Sequence, residues 1–158
     1  KYTWVDFGSS YLPSDLNAAY LYAQLELFKE INDKRMAIWN LYNEAFASLE
    51  EKHLVERPFV PDYAVHNAHM YYLKLKNLET RTAFIRYMKE NGVQCVFHYI
   101  PLHTATAGQK FGRFHGEDRY TTRESERLVR LPMYYNLDLA QAEQVAELVL
   151  KFPGYQEI

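Results

Sequence analysis

The chain of 158 residues has a single cysteine, Cys95, so no disulfide can form within it. A lone thiol in an apolar run is the usage of a reducing compartment, and the protein is expected in the cytoplasm. An excess of charge is also missing. The formal net charge of −2 gives no electrostatic reason to expect nucleic acid or an anionic membrane surface as partner. No apolar run approaches the ~20 residues of a membrane span, and no signal peptide is expected. The sequence carries no G-x-S-x-G elbow, no G-x-x-x-x-G-K-[ST] loop and no G-x-G-x-x-G turn. It has no internal repeat or low-complexity segment. It does not begin with methionine: Lys1 leads straight into the aromatic YTWVDFG, which raises the expectation of a piece of a longer protein.

What is present is apolar and aromatic. Hydrophobic residues make up 48% of the chain and aromatic residues 16%, ample for one packed core. An irregular lead-in, residues 1–13, ends at Pro13, and Ser14 follows as a plausible N-cap with Asp15 in the first turn. From there Leu21, Leu25 and Phe28 recur at helical spacing, as do Ile38, Leu41, Tyr42, Ala45, Phe46 and Leu49. The spacing predicts one long helix over 14–52, bent near Asn32–Asp33. A helix of that length exceeds what this chain's own globule needs.

Residues 53–158 read as a small α+β domain. Strands are predicted at 67–76 and 93–100, with a helix over 79–92 between them, ended by Gly92. A third short strand near 129–133 would fill between these two and make a mostly antiparallel sheet with helices on one face. Residues 104–120 read as a loop. Two helices close the chain, capped by Thr121 or Thr122 and by Asp138.

The candidate chemistry gathers in VFHYIPLH, residues 96–103. His98 and Tyr99 stand at a strand end, Pro101 halts the ladder, and His103 follows. Two histidines do not complete a metal site, and His66 and His69 of HNAH would point to opposite faces of a strand. No metal is expected. Cys95 shares its strand face with Val93, Phe97 and Tyr99, as an inert core thiol does. The small residues of GSSY, 8–11, suit an anion-holding turn or an ordinary turn before a helix. His98, Tyr99 and His103 suit a sugar or nucleotide, or else simply satisfy backbone carbonyls at a domain edge. From the residues alone GSSY reads as the ordinary turn, and the choice for His98, Tyr99 and His103 stays open.

Four segments then point one way: GSSYLPSDLNAAYLYAQLE, NAHMYYLKL, VFHYIPLH and FGRFHGEDRYTTRESERLVRLPMYYNL. In order, and over essentially the whole chain, they resemble the C-terminal part of the sugar aminotransferases of the DegT/DnrJ/StrS family. The resemblance implies the small C-terminal domain of the type I (aspartate aminotransferase) fold, joined by its long helix to an N-terminal domain that binds pyridoxal 5'-phosphate (PLP). It implies a homodimer that moves an amino group from glutamate, through PLP, to C4 of dTDP-4-keto-6-deoxyglucose. The family's Schiff-base lysine sits in a Ser/His-rich turn upstream of the segment matching Lys1, and no lysine here lies in such a turn. This chain alone is therefore expected to be inactive. In the family's G-x-N-x-R pattern, Ser10 stands at the Asn position and Leu12 at the Arg position. Ser9, Ser10 and Tyr11 are the implied cofactor contacts. The H-Y-x-P-x-H pattern is intact, so His98, Tyr99 and His103 are the implied substrate contacts, with Arg119 of the GEDRY loop reaching the diphosphate. The alternative is a separate, non-catalytic module that binds a sugar nucleotide.

Overall fold

The computed structural model describes residues 6–9 and 11–156. Ser14 caps α1 (Asp15–Glu26), its hydroxyl accepting from the Asn17 N–H, as its position predicts. α2 (Phe28–Ala45) and α3 (Ala47–Glu51) follow, each after a single intervening residue. Asn32 and Asp33, where a bend was expected, lie inside α2 with no break in the helix, and Asp33 is salt-bridged one turn back to Lys29. The interruptions fall instead at Leu27 and Phe46, single residues whose N–H groups turn back to Gln24 O and Tyr42 O.

The three helices divide sharply in burial. α1 buries nothing, whereas Ile38, Trp39 and Tyr42 of α2, then Phe46 and Leu49, line one side at helical spacing and enter the core. Those residues stack on the sheet: Tyr71 meets Trp39, Tyr42 and Phe46 at ring-centroid distances of 5.5, 5.4 and 5.9 Å. The Tyr42 hydroxyl donates to Pro132 O at 3.1 Å, tying α2 to the segment beyond the sheet.

The sheet has three strands: β1 (Tyr72–Lys74), β2 (Val96–Phe97) and β3 (Leu128–Arg130), in the order β1-β3-β2. β3 lies between the other two and is antiparallel to both, with Arg130 opposite Tyr72 and Val96. The third strand thus fills the sheet as expected, two residues shorter than the predicted 129–133 run. β1 is also shorter than the predicted strand over 67–76. Residues 67–70 take no regular structure: Ala68 has a left-handed φ of 48°, and the Arg35 guanidinium clamps the carbonyls of Ala68 and His69. That clamp takes the backbone out of the ladder. Strand alternation sends Leu73, Leu75, Val129 and Leu131 into the core and leaves Tyr72, Lys74 and Arg130 on the other face.

α4 (Leu78–Glu90), capped by Asn77 and ended at Gly92 (φ 79°), buries Phe84 and Met88. α7 (Leu139–Leu150) begins in a capping box between Asp138 and Gln141 and packs along α2. Within the expected loop 104–120 the chain forms a short helix, α5 (Thr106–Phe111). Gly108 permits it, since a Cβ there would stand 1.6 Å from the carbonyl oxygen of Leu102. α6 (Thr121–Arg127) is not capped by Thr121 or Thr122. Asp118, three residues ahead of it, takes that role by accepting from the Thr122 N–H. Cys95 is buried just before β2, and its apolar surroundings push the thiol up to about 12, whereas Phe97 and Tyr99, expected to share its face, are exposed.

α6 is fastened to β1 by charge. Glu124 meets Lys74 at 2.7 Å, while Arg127 reaches Glu56 and donates to Leu75 O. The hydrogen bond from Lys74, then the neighbouring Arg123 and Arg127, lower the Glu124 carboxyl from 4.5 to about 2. A folded pKa below the unfolded one contributes stability above the unfolded value and loses it as pH falls through the folded one. Unfolding free energy is therefore expected to drop by on the order of 1–3 kcal/mol between pH 5 and pH 2 on account of this group, discounting for its partial exposure. Urea titrations of the wild type and E124Q across that range check it: the variant should show the shallower pH dependence. Parallel profiles would remove the ion pair as the cause.

Candidate functional site

β2 is an edge strand, and the chain leaves it at His98 directly into solvent-facing backbone. The His98 ring lies 4.2 Å from that of Tyr99, and the peptide bond between them is cis. His98 Nδ1 is buried and has no hydrogen-bond partner among the described residues. Desolvation first, then the charge of Arg130 and the proximity of His69, lower its pKa below the ordinary 6.5. At neutral pH the ring is uncharged, able to donate through one nitrogen and accept through the other. Tyr99 is 65% exposed, its ring under the Arg130 guanidinium at 5.9 Å. Its backbone carbonyl is held by the Ser125 hydroxyl of α6. α6 thus fixes the strand end from behind.

His103 is placed differently. Pro101 O accepts from the N–H groups of Thr104 and Ala105, so the chain turns at once and carries His103 toward the following loop. There its Nε2 meets Asp118 at 2.7 Å and Thr122 Oγ1 at 3.3 Å, and its ring lies 4.4 Å from that of Phe114. Hydrogen bonds from Thr122 and then from His103 hold the Asp118 carboxyl below its ordinary value. His103 therefore joins the turn after β2 to the 112–120 loop and to the start of α6. The expected trio separates into an open pair, His98 and Tyr99, and a histidine engaged by a carboxylate. Arg119 projects into solvent with its guanidinium on Glu117 at 2.9 and 3.1 Å.

The implied cofactor contacts are less developed. Ser9 and Tyr11 are exposed, Tyr11 at 91%, and Ser10 lies outside the described residues. Imine chemistry with PLP needs a lysine that reaches the neutral amine. Lys29, Lys34 and Lys74 are instead raised by hydrogen bonds to Asp33, Tyr135 with Glu30, and Glu124. These three lysines are therefore held in the charged form by their partners.

Of the HNAH histidines, His66 packs on Trp39 at 4.5 Å and takes the Ala68 N–H on Nδ1, while the His69 carbonyl is held by Arg35. Among the described residues no group of three or more His, Cys, Asp or Glu side chains could hold a metal ion. A cleft of about 580 Å³ between α7 and the β2 edge is lined by Gln94, Val96, Tyr134 and Gln141, and none of the expected site residues lines it. The sequence reading missed Asp118, Ser125 and Arg130. The signal for Arg130 was present, since L-V-R-L places it opposite in phase to Val129 and Leu131.

Residues 1–150 match the model of the DegT/DnrJ/EryC1/StrS aminotransferase family. The chain belongs to this family. The uncharacterized protein MJ1066 of Methanocaldococcus jannaschii is 30% identical over 138 residues, 84% of this chain and 35% of that protein. Among solved structures, the aminotransferase TlmJ of Streptoalloteichus hindustanus superposes with a TM-score of 0.74 at 24% identity, covering 85% of this chain and 35% of TlmJ. Helicobacter pylori PseC, an aminotransferase involved in the biosynthesis of pseudoaminic acid, gives 0.75 at 17% identity, covering 99% and 43%. At these identities the two structures show the fold, and it is the type I aminotransferase fold. The chain spans roughly a third to two-fifths of the length of these relatives.

Proposed function

We propose that the chain is the C-terminal segment of a PLP-dependent sugar aminotransferase, resembling the dTDP-4-amino-4,6-dideoxygalactose transaminases. The parent enzyme takes the amino group of glutamate and delivers it to C4 of dTDP-4-keto-6-deoxyglucose, for surface polysaccharide such as enterobacterial common antigen. The carrying observation is the family match over residues 1–150 together with the intact H-Y-x-P-x-H segment at an open strand end. PLP supplies the carrier for the amino group, and the residues that hold it belong to the N-terminal domain of the parent and to its dimer partner. This chain contributes recognition: Tyr99 presents an aromatic face, His98 an uncharged ring nitrogen, and His103 with Asp118 braces the loop beside them.

The test is product analysis on the full-length polypeptide that carries this chain. With PLP, glutamate and dTDP-4-keto-6-deoxyglucose, the expected product is dTDP-4-amino-4,6-dideoxygalactose. The axial C4 amine is read from the proton couplings of C4. An amine at C3, an equatorial C4 amine, or unconsumed keto-sugar would overturn the assignment. The chain by itself is expected to leave the absorption spectrum of PLP unchanged; a stoichiometric spectral shift would overturn that expectation.

A further inference from the structure

Among the described residues, two polar nitrogens at the strand end have nothing to bond to. Arg130 Nε is buried without a hydrogen-bond partner, and so is His98 Nδ1. Buried polar atoms are nearly always satisfied, so an orphan in an otherwise well-bonded region marks a ligand, ion or water yet to arrive. Both atoms belong to one structural unit. Arg130 occupies the central strand opposite Val96, on the sheet face turned away from the core, and His98 follows Val96 by two residues. Tyr99 bridges them, its ring 4.2 Å from His98 and 5.9 Å from the guanidinium.

The charge of Arg130 is also unanswered, for it has no ion pair among the described residues. The nearby basic side chains differ: Arg127 and Lys74 are occupied by Glu56 and Glu124, Arg123 by Glu124, and Arg119 by Glu117. Leaving a part-buried guanidinium without an anion costs stability unless the site is built to receive one. Arg81 of α4 carries a second orphan Nε over the Phe97 ring at 5.1 Å, but its charge is felt by the Glu126 carboxylate.

We propose that Arg130, with His98 beside it and Tyr99 as its floor, receives an oxyanion of the substrate, and that Arg130 rather than Arg119 is the chain's principal anion-binding arginine. The planar fork of a guanidinium matches a carboxylate or phosphate through two parallel hydrogen bonds, and its rear face already rests on an aromatic ring. The neutral His98 ring adds one N–H in its Nδ1–H tautomer. Under the proposed function, on which this inference rests, two substrates bring such a group: the carboxylates of glutamate and the diphosphate of the sugar nucleotide.

Kinetics on the full-length polypeptide distinguish the two. R130Q is expected to raise KM at least tenfold for one of the substrates, with kcat changed less than threefold, and the substrate affected names the source of the anion. R130K should recover part of the loss, and R123Q, at an arginine already engaged by Glu124, should change either KM less than threefold. Unaltered KM for both substrates in R130Q would overturn the proposal. A second measurement does not depend on the aminotransferase reading. Inorganic phosphate titrated into the wild-type chain should move the Arg130 Nε–H resonance in a saturable way and leave that of Arg119 in place. An unmoved Arg130 resonance would overturn the anion site, even where R130Q does not fold. Absent amino transfer by a wild-type protein that still binds phosphate at Arg130 would instead discard only the reaction.

Discussion

Phe46→Ala is expected to lower the unfolding free energy of the chain by about 3–5 kcal/mol, the span for truncating a fully buried phenylalanine. Phe46 is 0% exposed and stands at the junction of α2 and α3. It stacks on Tyr42 at 5.8 Å with the rings 18° from parallel, and tilts against Tyr71 at 5.9 Å. Alanine would remove apolar area and leave a cavity walled by two tyrosines whose backbones are fixed in α2 and beside β1. Neither ring can drop into the gap without giving up its own packing. Urea unfolding with an unchanged m-value would report the loss cleanly. A change below about 1 kcal/mol would mean that the aromatic cluster repacks, and that the helix-to-sheet contact is held elsewhere.

The second large effect concerns association. The chain is expected to self-associate at high concentration, and the triple variant L21E/L25E/F28E to sediment as a monomer. Leu21, Leu25 and Phe28 are 56, 58 and 59% exposed, and Tyr11, Leu12, Leu16 and Tyr20 upstream are more exposed still. A contiguous apolar surface of this kind marks an interaction face, and a second copy of the chain is the occupant available in a purified sample. The core should survive the substitutions, because burial in the long helical segment begins only at Ile38. Sedimentation velocity decides the matter. A wild-type monomer at every concentration would refute the expectation, and an unfolded triple variant would show that α1 supports the core after all.

Much of the architecture could be read from periodicity. The spacing of Ile38, Tyr42, Phe46 and Leu49 places one face of a helix in the core, and they are buried there. The Asn77, Gly92 and Asp138 neighbourhoods begin and end α4 and α7 by local chemistry alone, which is why those boundaries lie within a residue or two of expectation. The sheet order also followed, since an intervening strand is the simplest way to join two parallel strands within a mostly antiparallel sheet. The interruptions at Leu27 and Phe46 carry no glycine, proline or cap signal, so nothing local announced them. The early residues of the 67–76 run failed as strand for a non-local reason: Arg35, thirty-odd residues earlier, takes their carbonyls.

The site divides along the same line. Residue chemistry and motif marked His98, Tyr99 and His103, because a histidine-tyrosine strand end broken by proline is visible in any extended chain. Its partition was invisible. Asp118 claims His103 from fifteen residues away, and Arg130 reaches Tyr99 only because β3 pairs with β2 in one register. Shifting that register by one residue would turn Arg130 into the core and Val129 out of it. By itself the sequence determined which residues are apolar, where helices are capped, the class of the fold and the family motif, because those depend on neighbours in the chain. Only the tertiary structure decided which nitrogens are left without partners, because hydrogen-bond satisfaction depends on every atom that folding brings within about 3 Å.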